Sequence, residues 1–114
     1  MNILIILNDP PYGTERSYNG LRLAKALSST KAKVTVFLMA DAIVCAKHGQ
    51  TVPQGFYNIE LMLKSVIRKG EVLLCGTCMD ARGFGDDDIV PDARRSTMQE
   101  LAERTLAADK VLVF

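Results

Sequence analysis

The sequence predicts an α/β domain: a mainly parallel sheet of four to five strands with helices on both faces. Three observations predict it. Short apolar runs rich in β-branched residues recur without polar–apolar alternation, as expected of strands covered on both sides. Between them lie segments with apolar residues at helical spacing. The resulting order, β-α-β-α-α-β-α-α-β, separates the strands by crossovers, which are right-handed in nearly all proteins. At 114 residues this is one domain, 1-114, with no linker or repeat.

Asn2 to Asn8 reads as a central strand, ended by Asp9-Pro10-Pro11-Tyr12-Gly13 because prolines cannot join a ladder. Thr14 is the expected N-cap of a helix to about Ser28, with Glu15 in its first turn and Leu21, Ala24 and Leu27 on one stripe. Lys33 to Met39 is a second strand. Asp41 is expected to cap a short helix that closes at His48-Gly49. After a loop from Gln50 to Gly55, Asn58 opens an amphipathic helix carrying Ile59, Met62, Leu63, Val66 and Ile67. Glu71 to Cys75 is a third strand, and Gly76 to Arg82 a short helix with Gly83 past its end. Gly83 to Asp92 is a polar, acidic loop, with a fifth short strand expected near Ile89-Val90. Ser96 is expected to cap the last helix, whose Met98, Leu101, Ala102, Thr105 and Leu106 share a stripe, and Val111 to Phe114 is the final strand.

Composition narrows the function. Hydrophobic residues at 48% and charged residues at 24% exclude disorder. Aromatics are 6% and Trp is absent, so the core is aliphatic. A formal charge of +1 offers no basic field for nucleic acid or an anionic membrane surface, so neither is expected as a partner. The apolar run from Ile3 to Leu7 is too short for a signal peptide or a membrane helix, which makes the cytoplasm the expected compartment. A mean hydropathy of +0.11 points to buried subunit contacts. Three cysteines cannot all pair within one chain, and thiols in a reducing compartment serve catalysis, metal binding or plain packing.

In open α/β sheets ligands bind beyond the carboxyl ends of the strands, near the switch in strand order. That rule selects Asp9 to Thr14, Ala40-Asp41, and Cys75 to Cys78. The last, Cys75-Gly76-Thr77-Cys78, carries the strongest chemical signal. A cysteine at a strand end that opens a helix faces unpaired N–H groups and a favourable dipole, which lower a thiol pKa, and Arg82 adds positive charge. A second thiol three residues on can resolve a persulfide or mixed disulfide. Against this stands plain packing, because cysteine is often a buried, inert hydrophobe. Cys45 and His48 with Cys75 and Cys78 make four soft ligands for zinc. Their 26-residue separation is long for such a site, and Cys45 reads more simply as core and His48 as a helix end, so no metal is expected. Asp86-Asp87-Asp88 lacks the alternation, glycine and glutamate of a calcium loop. Pro10 to Thr14 matches no nucleotide-binding fingerprint, so Tyr12, Gly13 and Thr14 are candidates for a wall of the cysteine site, with Asp41 and Arg82 as further candidates.

Together these residues resemble a known family. Pro11-Tyr12-Gly13-Thr14-Glu15, Asn19-Gly20-Leu21-Arg22-Leu23-Ala24, Phe37-Leu38-Met39-Ala40-Asp41-Ala42, Gly55-Phe56-Tyr57-Asn58-Ile59, Cys75-Gly76-Thr77-Cys78-Met79-Asp80-Ala81-Arg82-Gly83 and Ala108-Asp109-Lys110-Val111-Leu112 are similar to the DsrE/DsrF-like proteins, most of all the YchN-like branch. The resemblance implies a three-layer α/β/α fold and a homotrimer or homohexamer. It implies a sulfur-relay function without an organic cofactor, with sulfur donor and acceptor proteins as partners. Relay members, such as the TusD-like and DsrE-like subunits, carry sulfur as a persulfide on a cysteine eight residues before the Arg-Gly glycine. That spacing lands on Cys75 and leaves Cys78 as a resolving thiol. The alternative function, from a different class, is a non-enzymatic oligomeric module binding a small ligand or a protein, with structural cysteines.

Overall fold

A computed structural model describes residues 1–114. The chain runs β1 (Asn2–Leu7), α1 (Arg16–Ser28), β2 (Lys33–Leu38), a 3-10 segment (Ala40–Ala46), α2 (Ile59–Ile67), β3 (Glu71–Cys75), α3 (Gly76–Ala81), a 3-10 turn (Asp86–Asp88), β4 (Arg94–Ser96), α4 (Met98–Ala107) and β5 (Lys110–Val113). The five strands make one all-parallel sheet in the order β4-β3-β2-β1-β5. The chain steps outward from β1 to β4, then returns across the whole sheet to place β5 on the far side of β1.

This itinerary assigns the helices to faces. Right-handed crossovers in one direction put their helices on one face, and a crossover in the reverse direction lands on the other. Accordingly α1 and α2 pack side by side. Leu7 points toward α1, where a side chain at Gly20 would meet it. Leu4 is in register with Thr35 and Val111, and Ile6 with Phe37 and Val113, on the opposite face. Strands this covered need apolar residues at every position, which explains why Leu4, Ile5, Val36, Phe37, Leu73 and Leu74 are all buried.

In α2 the Asn58 side chain accepts the Leu61 N–H at 3.1 Å, and Ile59, Leu63 and Val66 are fully buried. Each such side chain stabilises the fold by about 1.5–3 kcal/mol. Met62 and Ile67 flank that stripe, half-buried. By contrast α4 buries only Leu101; Met98 is 56% and Leu106 88% exposed. Ion pairs hold this helix instead. Arg94 of β4 clasps Glu100 with two bonds of 2.9 and 2.8 Å, and Arg104 pairs with Glu71. No helix is long and apolar enough to cross a membrane.

Four local expectations are corrected. Helix α1 starts at Arg16, because Thr14 turns back to donate to Asp9 at 2.8 Å. The segment after β2 is 3-10, and Asp41 does not cap it because its carboxylate pairs with Arg82. Ile89 makes only an isolated antiparallel bridge to Lys47; the additional strand is β4, Arg94–Ser96. The cap of α4 is Thr97, which accepts the Glu100 N–H, while Ser96 ends β4 and donates to the Glu100 carboxylate.

Candidate functional site

Cys75 is the last residue of β3, paired in register with Ser96 of β4, and α3 starts at the next residue. Gly76 allows this sharp join. A Cβ there would sit 2.9 Å from Arg95 Nε and 3.0 Å from the Ser96 carbonyl oxygen. Cys75 is 5% exposed. Burial pushes its thiol above the ordinary 9.0, and charge on the Cys78 sulfur adds to the rise; the Thr77 and Cys78 amides oppose it without forming a side-chain cap bond. The low pKa expected of this thiol from its helix terminus is therefore corrected. The helix end is present, but desolvation outweighs it.

Cys78 lies one helical turn on and is half-buried. Its sulfur accepts the backbone N–H of Ala40 at 3.2 Å. Ala40 has a φ of +50°, a left-handed conformation that costs an L-residue about 1–2 kcal/mol. Its neighbour Met39 is anchored by an N–H bond to the Leu7 carbonyl at 3.0 Å. Arg82 closes the same junction. It donates to the Cys78 carbonyl oxygen at 3.1 Å and clasps the Asp41 carboxylate through Nε at 3.0 Å and Nη2 at 2.9 Å. The structure thus brings together Cys75, Cys78, Asp41 and Arg82.

Tyr12, Gly13 and Thr14 are engaged elsewhere. Tyr12 donates to Gln50 Oε1 at 2.6 Å and accepts the Ile59 N–H at 3.1 Å. Thr14 bonds Asp9, and a Cβ at Gly13 would lie against Pro10. None of the three hydrogen-bonds a cysteine. Tyr12 ties down the segment between Gln50 and Asn58, together with Glu60. The buried Glu60 carboxylate accepts the Gly49 and Gln50 amides at 3.1 and 2.7 Å and meets His48 Nδ1 at 3.1 Å.

The four zinc candidates are divided. His48 faces Glu60, and Cys45 is fully buried with its sulfur 3.8 Å from the Asp9 carbonyl oxygen. Burial pushes the Cys45 thiol up to about 12. No group of three or more His, Cys, Asp or Glu side chains is placed to hold a metal ion.

Two residues at the site escape a reading of the sequence. One is Ala40, whose contribution is a backbone amide. The other is Arg95, which binds Asp80 through two bonds of 2.9 and 2.7 Å beside Cys75 and holds that carboxyl below its usual range. The signal for Arg95 lay in the adjacent Arg94-Arg95 pair, but a three-residue strand is too short to show a period. The strand order also moves the site relative to expectation. Its reversal lies between β1 and β5, whereas the cysteines follow β3, two strands from β1.

A cleft of about 470 Å³ opens at the amino ends of the strands, and a groove of about 660 Å³ runs beside Tyr18, Phe56, Tyr57 and Leu61. Neither includes a cysteine. The thiol pair sits instead at the carboxyl end of β3, Cys75 buried and Cys78 half-buried.

The profile of the DsrE/DsrF-like family matches residues 1–114. Protein YchN of Escherichia coli is 41% identical over 115 residues, covering 98% of this chain and 97% of that protein. The crystal structure of the E. coli ychN protein superimposes with a TM-score of 0.94 at 40% identity, over 99% of this chain and 98% of the other. An uncharacterized protein of Methanocaldococcus jannaschii is 33% identical over the full length of both chains. A TusC homolog of Vibrio parahaemolyticus is 25% identical over 113 residues, covering 96% of this chain and 95% of that protein.

Proposed function

The chain belongs to the DsrE/DsrF-like family, and on that premise we propose that it is a sulfur-relay protein whose Cys75–Cys78 pair carries sulfane sulfur as a persulfide. The observation that carries this reading is the placement of two free thiols one helical turn apart at the carboxyl end of β3. The similarity to a TusC homolog, a name from sulfur relay, supports it at the level of the family. Cys75 holds the position that carries sulfur in the relay members that the motif resembles.

The chemistry follows from the residues. A thiolate of the pair attacks the outer sulfur of a donor persulfide. A new S–S bond forms on this chain, the donor's S–S bond breaks, and the donor leaves as a thiolate that takes up a proton. Delivery to an acceptor thiol runs the same exchange outward. No organic cofactor takes part, since sulfur passes between thiols with no net change in oxidation. Arg82 and Arg95 place positive charge near the sulfurs, though Asp41 and Asp80 pair with both. The partners are sulfur donor and acceptor proteins, and the need for reduced thiols places the work in the cytoplasm.

The chain works as a homo-oligomer, a trimer or hexamer. The support is the apolar surface left by α4 and the edge strand β5, where Met98, Leu106, Val111 and Val113 are 56%, 88%, 39% and 64% exposed.

The burial and raised pKa of Cys75 favour a second reading, a binding module with structural cysteines. Cyanolysis separates the two. After incubation with a cysteine desulfurase and cysteine, then desalting, a carrier releases thiocyanate in proportion to chain. A module with inert thiols releases none.

A further inference from the structure

We infer that Cys78 is the thiol that meets the sulfur donor, that the Ala40 amide readies it, and that the sulfur then passes inward to Cys75. The inference rests on the sulfur-carrier reading and assigns the order within it.

Access comes first. Cys75 is 5% exposed, while Cys78, one turn on in α3, is half-buried. A donor protein presenting a persulfide reaches Cys78 before it can reach Cys75. The second observation is the hydrogen bond. The Ala40 N–H, 3.2 Å from the Cys78 sulfur, fixes where that sulfur sits and which way it faces. The third is what that bond requires. Ala40 sits at φ +50° although alanine is disfavoured there, and the surrounding anchors maintain it: Met39 bonded to Leu7, and Asp41 bonded to Arg82. Strain in a non-glycine residue persists where neighbours over-determine it, and such residues gather at functional sites. The strained residue here is the one whose amide touches the sulfur. Ala40 is a positioning residue, acting on the chemistry through Cys78.

Two exchanges follow. In the first, the Cys78 thiolate attacks the outer sulfur of the donor persulfide. The Cys78 S–S bond forms, the donor's S–S bond breaks, and the donor thiolate takes up a proton. In the second, Cys75 attacks the same outer sulfur. The Cys75 S–S bond forms, the Cys78 S–S bond breaks, and the proton of the Cys75 thiol passes to the Cys78 sulfur. Each broken S–S bond is replaced by another, so neither step needs an oxidant or reductant. The sulfur ends on the buried thiol, shielded from stray thiols in solution.

The test uses the full chain as wild type, Cys78→Ser, Cys75→Ser and Ala40→Val. Loading with desulfurase and cysteine is followed by mass spectrometry, with the added sulfur located by fragmentation. Cys78→Ser is expected to slow loading at least about tenfold although Cys75 remains, while Cys75→Ser loads at the wild-type rate with the sulfur left on Cys78. Wild type at completion carries it on Cys75. Separately, iodoacetamide alkylation of unloaded protein is followed in time. Cys78 is expected to react first, and Ala40→Val to change the rate at Cys78 and leave that at Cys75 in place. Loading of Cys78→Ser at the wild-type rate overturns the order and leaves the carrier function standing. Wild type that takes up no sulfur overturns the carrier function, and the alkylation order then decides by itself whether Cys78 is the readied thiol. A Cys75 that alkylates first refutes that assignment.

Discussion

The amide of Ala40 and the sulfur of Cys78, 38 residues apart in sequence, meet at 3.2 Å. That contact joins the loop after β2 to the first turn after β3, and the Asp41–Arg82 ion pair joins the same two segments a second time. The CxxC segment is thus held by a neighbouring strand's loop as well as by its own helix.

Because Ala40 is left-handed, Ala40→Gly exchanges strain for chain entropy. Relief of about 1–2 kcal/mol is set against the glycine cost of about 0.5–1 kcal/mol. The variant is expected to match the wild type or exceed it by up to about 1.5 kcal/mol in urea unfolding, whereas Ala→Gly changes within helices normally destabilise. A clear loss of stability would show that Ala40 is not strained.

Cys45 is expected to be silent. With its thiol pushed up to about 12 and no exposed surface, it reacts at neutral pH only when the chain opens. Counting iodoacetamide adducts on native protein should give at most two per chain, on Cys75 and Cys78, and three in denaturant. A native adduct on Cys45 would contradict its burial beside the Asp9 carbonyl.

Glu60 makes stability depend on acid. Burial alone would raise its pKa, but the Gly49 and Gln50 amides, Lys64 and His48 bring it below 4.5. A carboxyl lowered in the folded state contributes stability that is full above its unfolded value and is lost as pH falls through the folded one. Glu60→Gln keeps the size but weakens the bonds to both amides, at a cost near neutral pH of about 1–3 kcal/mol. The gap between wild type and variant should narrow below about pH 4.5 and close at lower pH. Urea unfolding at a series of pH values checks this; a gap that does not change with pH would assign Glu60 no such role.

Leu106 is 88% exposed on a helix whose apolar residues share one stripe. If α4 and β5 are subunit surface, Leu106→Glu is expected to shift the protein toward smaller species in sedimentation equilibrium without changing its helical content. A wild type that sediments as a monomer would remove the proposed assembly.

Much of this was legible in the sequence, for physical reasons. The strands β1, β2 and β3 are buried on both faces, so their continuous apolar runs announced them. The periodicity of α2 matched its burial at Ile59, Leu63 and Val66. β4 was not legible: Arg94 and Arg95 are exposed and polar, and the strand is made by pairing with β3 rather than by its own composition. The stripe on α4 showed helix correctly but not what faces it, because periodicity does not say which surface an apolar stripe meets. At the site, Cys75, Cys78 and Arg82 were marked by the motif itself. The pairing of Asp41 with Arg82 joins residues 41 positions apart, and the Ala40 amide has no side chain to read. The pKa of Cys75 went the other way from expectation because a helix terminus can be recognised in sequence, while the depth at which it is buried cannot.

The most direct test of the central claim is intact-mass spectrometry after loading with a cysteine desulfurase and cysteine, on wild type beside the double variant Cys75→Ser, Cys78→Ser. The wild type is predicted to gain the mass of one sulfur atom per chain, removed by dithiothreitol, and the double variant to gain none. An equal gain in both, or no gain in the wild type, would contradict a sulfur carrier built on this pair.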